Sequence, residues 1–237
     1  MTRPVFYAPH LAERVELDAA EAKHLKVMRL RDGEEFDVVD GRGTRMRCTL
    51  EGGELRSITT EHDQGPRHPI TLVQALAKGG RDERAIEAAI AVGATRIIPW
   101  SADRSIVKWS GKEKKAHASW EALALAAMKQ SRQSWRAEIS QRVTSAELAR
   151  SIETTPERVI ILEAGSRLGL REALGELPDN LGLWLIVGPE GGISPSELAD
   201  FEGAGAIPAR LGPSILRAGT AGPIACAIAS DHVGNWD

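Results

Sequence analysis

The 237-residue chain is 42% hydrophobic and 27% charged, the balance of an ordinary folded protein with enough apolar surface for one large domain or two small ones. No run reaches the ~18 apolar residues of a membrane helix, no basic segment leads into an apolar run near Met1, and Cys48 and Cys226 fit no metal-ligand spacing, so a cytoplasmic protein with two buried, reduced thiols and no metal is expected. The formal net charge of −3 argues against a chain that coats nucleic acid, but residues 96–142 hold ten Lys or Arg against four acids, and Lys23–Arg31 adds four bases without an acid; attraction to phosphate depends on such local potential.

Residues 1–67 read as short strands. Val5–Tyr7, Glu13–Leu17, Glu35–Val39 and Arg45–Leu50 alternate or are rich in β-formers, and Asp32-Gly33, Asp40-Gly41 and Gly52-Gly53 supply turns. Asp18–Leu30 reads as a short helix. The pattern is that of a small β-barrel, closed by a polar linker at His62–Arg67.

The rhythm then changes. Ile70–Ala77 is a buried-strand run, and Arg81–Val92 is helical with Gly93 as its stop. Thr95–Trp100 is a strand, and Lys112–Ser131 a long helix with Trp120, Leu123, Ala127 and Met128 near one face. Thr144 and Glu147 form a capping box for the next helix. Strands follow at Arg158–Leu162 and Leu181–Val187. Ser194-Pro195-Ser196-Glu197 opens another helix, which Gly205 ends; Ala206–Leu211 returns to the sheet and Ala218–Val233 closes the chain as a helix of small residues. Strands alternating with helices predict an α/β domain with a mostly parallel sheet over 68–237.

Two turns stand at the carboxyl edge of that sheet, where ligands of open α/β sheets bind. Gly188-Pro189-Glu190-Gly191-Gly192 lies between a buried strand and a capped helix. It lacks the Gly-Lys-Ser/Thr of a phosphate loop and the Gly-x-Gly-x-x-Gly of a dinucleotide site, and Glu190 would repel phosphate. A carboxylate suits hydroxyls, amines or positive charge, all present in S-adenosylmethionine; a tight turn with a surface glutamate is the plain alternative. Leu211-Gly212-Pro213-Ser214-Ile215-Leu216-Arg217 is a second such turn, after the next strand, and a shared pocket becomes plausible.

Together with Thr220-Ala221, these two motifs resemble the C-terminal signature of the SPOUT methyltransferases, and nearly the whole chain is similar to the family that methylates N3 of uridine 1498 in 16S ribosomal RNA. Phe6-Tyr7 and Lys23–Arg29 are similar to that family's small PUA-like RNA-binding barrel, Asp103-Arg104-Ser105 to its middle loop, and Gln130-Ser131-Arg132 to its central helix. Departures are Ala88 and Ala91 for the family's frequent Lys and Glu, Lys129 for Glu, and Ala218-Gly219 for Thr-Glu.

The resemblance implies a parallel sheet whose C-terminal chain threads a trefoil knot, a homodimer, and S-adenosylmethionine held by Leu162, Glu163, Val187, Gly188, Pro189, Glu190, Gly191, Leu211, Gly212, Ile215, Leu216, Thr220 and Ala221. Arg217 or Arg132 would stabilise charge developing on the uridine during transfer; Glu190 and Asp103 are candidate bases. The small-subunit ribosomal RNA would meet Lys23, His24, Arg29, Arg31, Arg104 and Lys108. Rival readings are a SPOUT enzyme with another ribosomal base or a ribose as target, an RNA-binding module with a degenerate pocket, and a nucleotide hydrolase, which the missing phosphate-loop lysine disfavours.

Overall fold

A computed structural model describes residues 3–12 and 15–236. The chain divides into two compact units, one of Met1–Gly65 with Leu125–Arg136, the other of Pro66–Ala124 with Ala137–Asp237. The first unit therefore takes in a segment that lies inside the span 68–237.

In the first unit, β1 (Val5–Tyr7), α1 (Ala19–Val27), β2 (Glu35–Val39), β3 (Thr44–Glu51) and β4 (Glu54–His62) follow in order. The sheet runs β1-β2-β3-β4, with β1 parallel to β2 and the other pairs antiparallel. Asp18 caps α1 by accepting from the Ala20 and Glu21 N–H groups, both at 2.8 Å, and so satisfies donors the helix start leaves open. Phe6, Phe36, Val38, Met46, Cys48 and Leu50 form the core, with the Phe6 and Phe36 rings edge to face at 5.4 Å.

Two expectations need correction here. Glu13 and Arg14 of the expected strand lie outside the described residues, and Val15–Leu17 is not a strand; Val15 packs into the core from a loop. β4 is not among the strands the sequence predicts, and its last residue, His62, falls in the expected linker; it carries no apolar alternation and is almost wholly exposed.

The segment Leu125–Arg136 is fastened to this unit by specific contacts. Met128 packs with Val5 and Val39. The Arg45 guanidinium donates to Asp37 at 2.9 Å, to the Arg132 carbonyl at 2.6 Å and to Ser134 Oγ at 3.2 Å. At Gly43, with φ of 98°, an added Cβ would sit 2.7 Å from the Trp135 ring, so only glycine fits both the backbone and the close approach.

In the second unit, β5 (Ile70–Ala75), α2 (Arg81–Ala91), β6 (Ala94–Ser101), the start of α3 (Glu113–Gln130), whose end from Leu125 belongs to the first unit, β7 (Glu138–Ile139), β8 (Val143–Thr144) and α4 (Ser145–Thr154) come first. Then come β9 (Arg158–Leu162), α5 (Leu170–Leu174), β10 (Leu183–Val187), α6 (Pro195–Gly203), β11 (Ile207–Ala209) and α7 (Ala218–His232). The strand order is β11-β9-β10-β5-β6-β7, β8 also pairs with β6, and every pairing is parallel. All residues of β5 and β10 are buried, as strands covered on both faces require. Each fully buried Ile or Leu adds about 2 kcal/mol of transfer free energy. Trp100 packs edge to face on Phe201 at 5.4 Å, and Trp120 on Trp109 at 5.0 Å; these tryptophans are core anchors. Both capping boxes form as the sequence predicts, at Thr144/Glu147 and Ser194/Glu197. The small residues of α7 allow close approach to the sheet: a Cβ on Gly222 would lie 3.1 Å from Leu72 Cδ2.

Candidate functional site

Parallel pairing brings the carboxyl ends of β9, β10 and β11 to one edge of the sheet, with Arg158 beside Leu183 and Ile160 beside Ile207. The loops that leave those ends enclose a cavity of about 500 Å³. Leu162, Glu163 and Ala164 come from the first loop, Val187–Glu190, Gly192 and Ile193 from the second, and Ile215–Ala218 with Ala221 from the third; Arg81 closes the wall from the start of α2.

Each loop is held by bonds its sequence supplies. An added Cβ on Gly188 would stand 2.7 Å from Ile193 Cγ1, so this glycine serves tight loop closure. Arg104 Nη1 donates to the Gly191 carbonyl at 3.0 Å and the Ile193 carbonyl at 3.4 Å, bracing the second loop from behind. The Glu163 N–H donates to the Ala209 carbonyl, and Arg210 Nη1 donates to the Ser166 and Arg167 carbonyls at 3.0 and 2.7 Å. These bonds tie the third loop to the first. The Arg217 carbonyl accepts from the Thr220 and Ala221 N–H groups, which sets Arg217 as the residue before the first turn of α7.

Beneath the second loop lies a buried carboxylate. Glu197 accepts from the Asp103 N–H at 2.7 Å, Ser145 Oγ at 2.6 Å and the Ser194 N–H at 2.9 Å. Burial pushes its carboxyl up, but the bonds from Ser145, Asp103 and Ser194 outweigh burial and hold it below the ordinary 4.5. Asp103, whose carboxylate accepts from Ser194 Oγ at 3.0 Å, is part of this brace.

On the cavity wall, Glu190 Oε1 accepts from Arg81 Nη1 at 2.7 Å and from the Lys78 N–H at 3.4 Å. Burial again raises the carboxyl, and the Arg81 bond, the residue's own N–H and the Lys78 N–H lower it below 4.5. The cavity thus has two carboxylates among apolar walls, that of Glu163 and that of Glu190, the latter paired with Arg81.

Of the residues expected to hold a cofactor, Leu162, Glu163, Val187, Gly188, Pro189, Glu190, Ile215, Leu216 and Ala221 line the cavity together with Arg217. Gly191, Leu211, Gly212 and Thr220 belong to the same loops and helix start without lining it. Sequence reasoning missed Arg81, Ala164, Gly192, Ile193 and Ala218. Arg81 was legible in one respect, since it opens the helix after β5 at the same sheet edge.

Among the expected nucleic-acid contacts, Lys23 and His24 on α1, Arg29 and Arg31 just beyond it, and Lys108 in the second unit are exposed. Arg104 is exposed as well, and its Nη1 donates to the loop carbonyls of Gly191 and Ile193. Arg132 belongs to the first unit, with φ of 59°. Among the described residues no three His, Cys, Asp or Glu side chains gather as metal ligands, and no helix is long and apolar enough to cross a membrane.

Comparison with known proteins fits this geometry. Residues 64–230 match the model of an RNA methyltransferase domain and residues 17–61 that of an RNA methyltransferase PUA domain. The chain is 33% identical to ribosomal RNA small subunit methyltransferase E of Mycobacterium bovis, over all of this chain and 95% of that protein. It is 26% identical to the protein of the same name from Bacillus subtilis, over 89% and 87% of the two chains. The crystal structure of ribosomal RNA small subunit methyltransferase E from Neisseria gonorrhoeae, bound to S-adenosyl methionine, superposes with a TM-score of 0.83 at 25% identity over 98% of both chains. With its α/β unit of parallel strands, its PUA-type unit and these matches, the chain belongs to the RNA methyltransferase family that includes the ribosomal RNA small subunit methyltransferases E.

Proposed function

We propose that the chain transfers a methyl group from S-adenosylmethionine to N3 of uridine 1498 in 16S ribosomal RNA of the small subunit. The observation that carries this reading is the convergence of three strand-end loops and Arg81 on one cavity of about 500 Å³. The lining fits the cofactor. Leu162, Val187, Ile193 and Leu216 offer apolar surface for an adenine ring, while the carboxylates of Glu163 and Glu190 accept from ribose hydroxyls and an ammonium group. When bound, the cofactor supplies a methyl group on a positively charged sulfur.

The protein's own task is to place the acceptor in line and to stabilise charge on the uracil ring as its N3 proton leaves. Either Arg217, on the cavity wall, or Arg132, in the first unit, is assigned to that charge. Lys23, His24, Arg29 and Arg31 form the RNA-facing surface of the PUA-like unit, and Lys108 adds to that of the second; the cytoplasm is where such a substrate lies. Arg104 supports the cofactor loop.

A C-terminal trefoil knot and a homodimer complete the reading. Exposed Ile215, Ile224 and Trp236 on the second unit support a surface for a second copy. Mass spectrometry of 16S ribosomal RNA from cells lacking and then regaining the protein tests the proposal: 3-methyluridine at position 1498 should vanish and return. Unchanged modification would overturn it.

A further inference from the structure

The first unit holds a cavity of about 480 Å³ that shares no lining residue with the proposed cofactor site. Pro4, Val5, Met28 and Ala126 give it apolar walls, and His24, Lys129, Gln130 and Arg132 bring polar groups to it. Lys129 is paired with Glu21, so that carboxylate is neutralised. Among the described residues the side chains of His24, Gln130 and Arg132 form no hydrogen bond; the His24 ring lies against the Phe6 ring, with centroids 5.4 Å apart. Gln130 offers both a donor and an acceptor. The rim continues into Lys23, Lys26, Arg29 and Arg31 on α1 and the turn after it.

The cavity therefore combines apolar lining and the volume for a planar ring with an amide able to read a ring edge and cations at the rim for a phosphate. Double-stranded RNA hides its bases from side chains, whereas unpaired ones can be splayed out and held in such a slot. We propose that this cavity receives one unpaired nucleobase of the bound RNA, with Gln130 at its edge and the rim cations Lys23, Lys26, Arg29 and Arg31 beside the adjoining phosphate. This rests on the reading of the first unit as an RNA-facing surface.

The test compares the full-length protein with two variants. Ala126→Trp fills the slot from an exposed helix position and leaves every charge in place; Gln130→Ala removes the amide. The probes are a fluorescent twelve-residue oligouridylate and the same ribose-phosphate chain without bases, with affinities followed by anisotropy over a salt series. The wild-type protein should bind the oligouridylate about tenfold more tightly than the abasic chain, the scale of one base held by stacking. In Ala126→Trp that preference should disappear, in Gln130→Ala it should shrink, and the salt slope should stay the same in all three, because the phosphate contacts are untouched. No preference in the wild type, or a preference that survives Ala126→Trp, overturns the base cavity while leaving the methyltransferase reading intact. Failure to bind either oligomer overturns the RNA-facing surface itself, and calorimetry with S-adenosylmethionine on the same protein tells that apart from loss of the cofactor site.

Discussion

Arg81, in the first turn of α2, and Glu190, in the loop after β10, are joined by a 2.7 Å charge-assisted bond on the cavity wall. The bond fixes a carboxylate oxygen on the loop relative to a helix. Arg81→Ala should weaken S-adenosylmethionine binding about tenfold at neutral pH. The pH dependence has a definite sign. Glu190 sits below 4.5 through this bond; without it burial is less opposed, the carboxyl takes up a proton at higher pH, and the acid loss of binding should move upward. Arg81→Lys should restore most of the affinity. Calorimetry from pH 4 to 7 on the three proteins checks all of this, and identical curves would remove Arg81 from the site.

Glu197 predicts a stability effect. Its folded carboxyl is held below the ordinary 4.5, so its contribution is fully present above that value and is lost as pH falls through the lower folded one. Glu197→Gln turns one of the two acceptor oxygens into an amide NH2, so that either the Ser194 N–H or the Ser145 and Asp103 donors are left poorly matched, at a cost of about 2 kcal/mol. Denaturant titrations should show that loss at pH 7 and a flatter acid dependence below pH 4.5 than in the wild type.

The thiols should be silent. Burial pushes Cys226 up to about 12, and burial followed by the nearby Asp37 charge pushes Cys48 up to about 11. Neither is a thiolate at pH 8. Alkylation by iodoacetamide, read by mass spectrometry, should leave both unmodified in the native protein and modify both in denaturant.

Arg217→Ala and Arg132→Ala address the chemistry. If either guanidinium stabilises charge on the acceptor, single-turnover methylation should slow by about 10²-fold in that variant with cofactor affinity little changed. Near-wild-type rates in both would exclude the pair.

The order of strands and helices after residue 68 was readable because β5 and β10 are apolar throughout and the helices carry caps such as Thr144/Glu147. Gly188 and Glu190 marked the cavity loop in advance. What stayed hidden has physical reasons. β4 is an exposed strand, so hydrogen bonding to β3 rather than side-chain burial defines it. α5 has five residues, too few to show a period. Arg104 reads as one more base in a basic stretch, and only the position of the Gly191 and Ile193 carbonyls reveals it as a brace. Arg81 follows two glycines and has no motif of its own; its role depends on a partner 109 residues away.

The return of Leu125–Arg136 to the N-terminal unit has a practical and an evolutionary consequence. A polypeptide cut at the polar linker near residue 65 would leave behind Met128, Ser134 and Trp135, stripping Arg45 and Gly43 of their neighbours and opening an apolar face. Such a fragment should aggregate or melt rather than behave as a portable module. The same interleaving ties the two halves genetically: exchange of the N-terminal part between relatives by recombination would succeed only if the end of α3 travels with it.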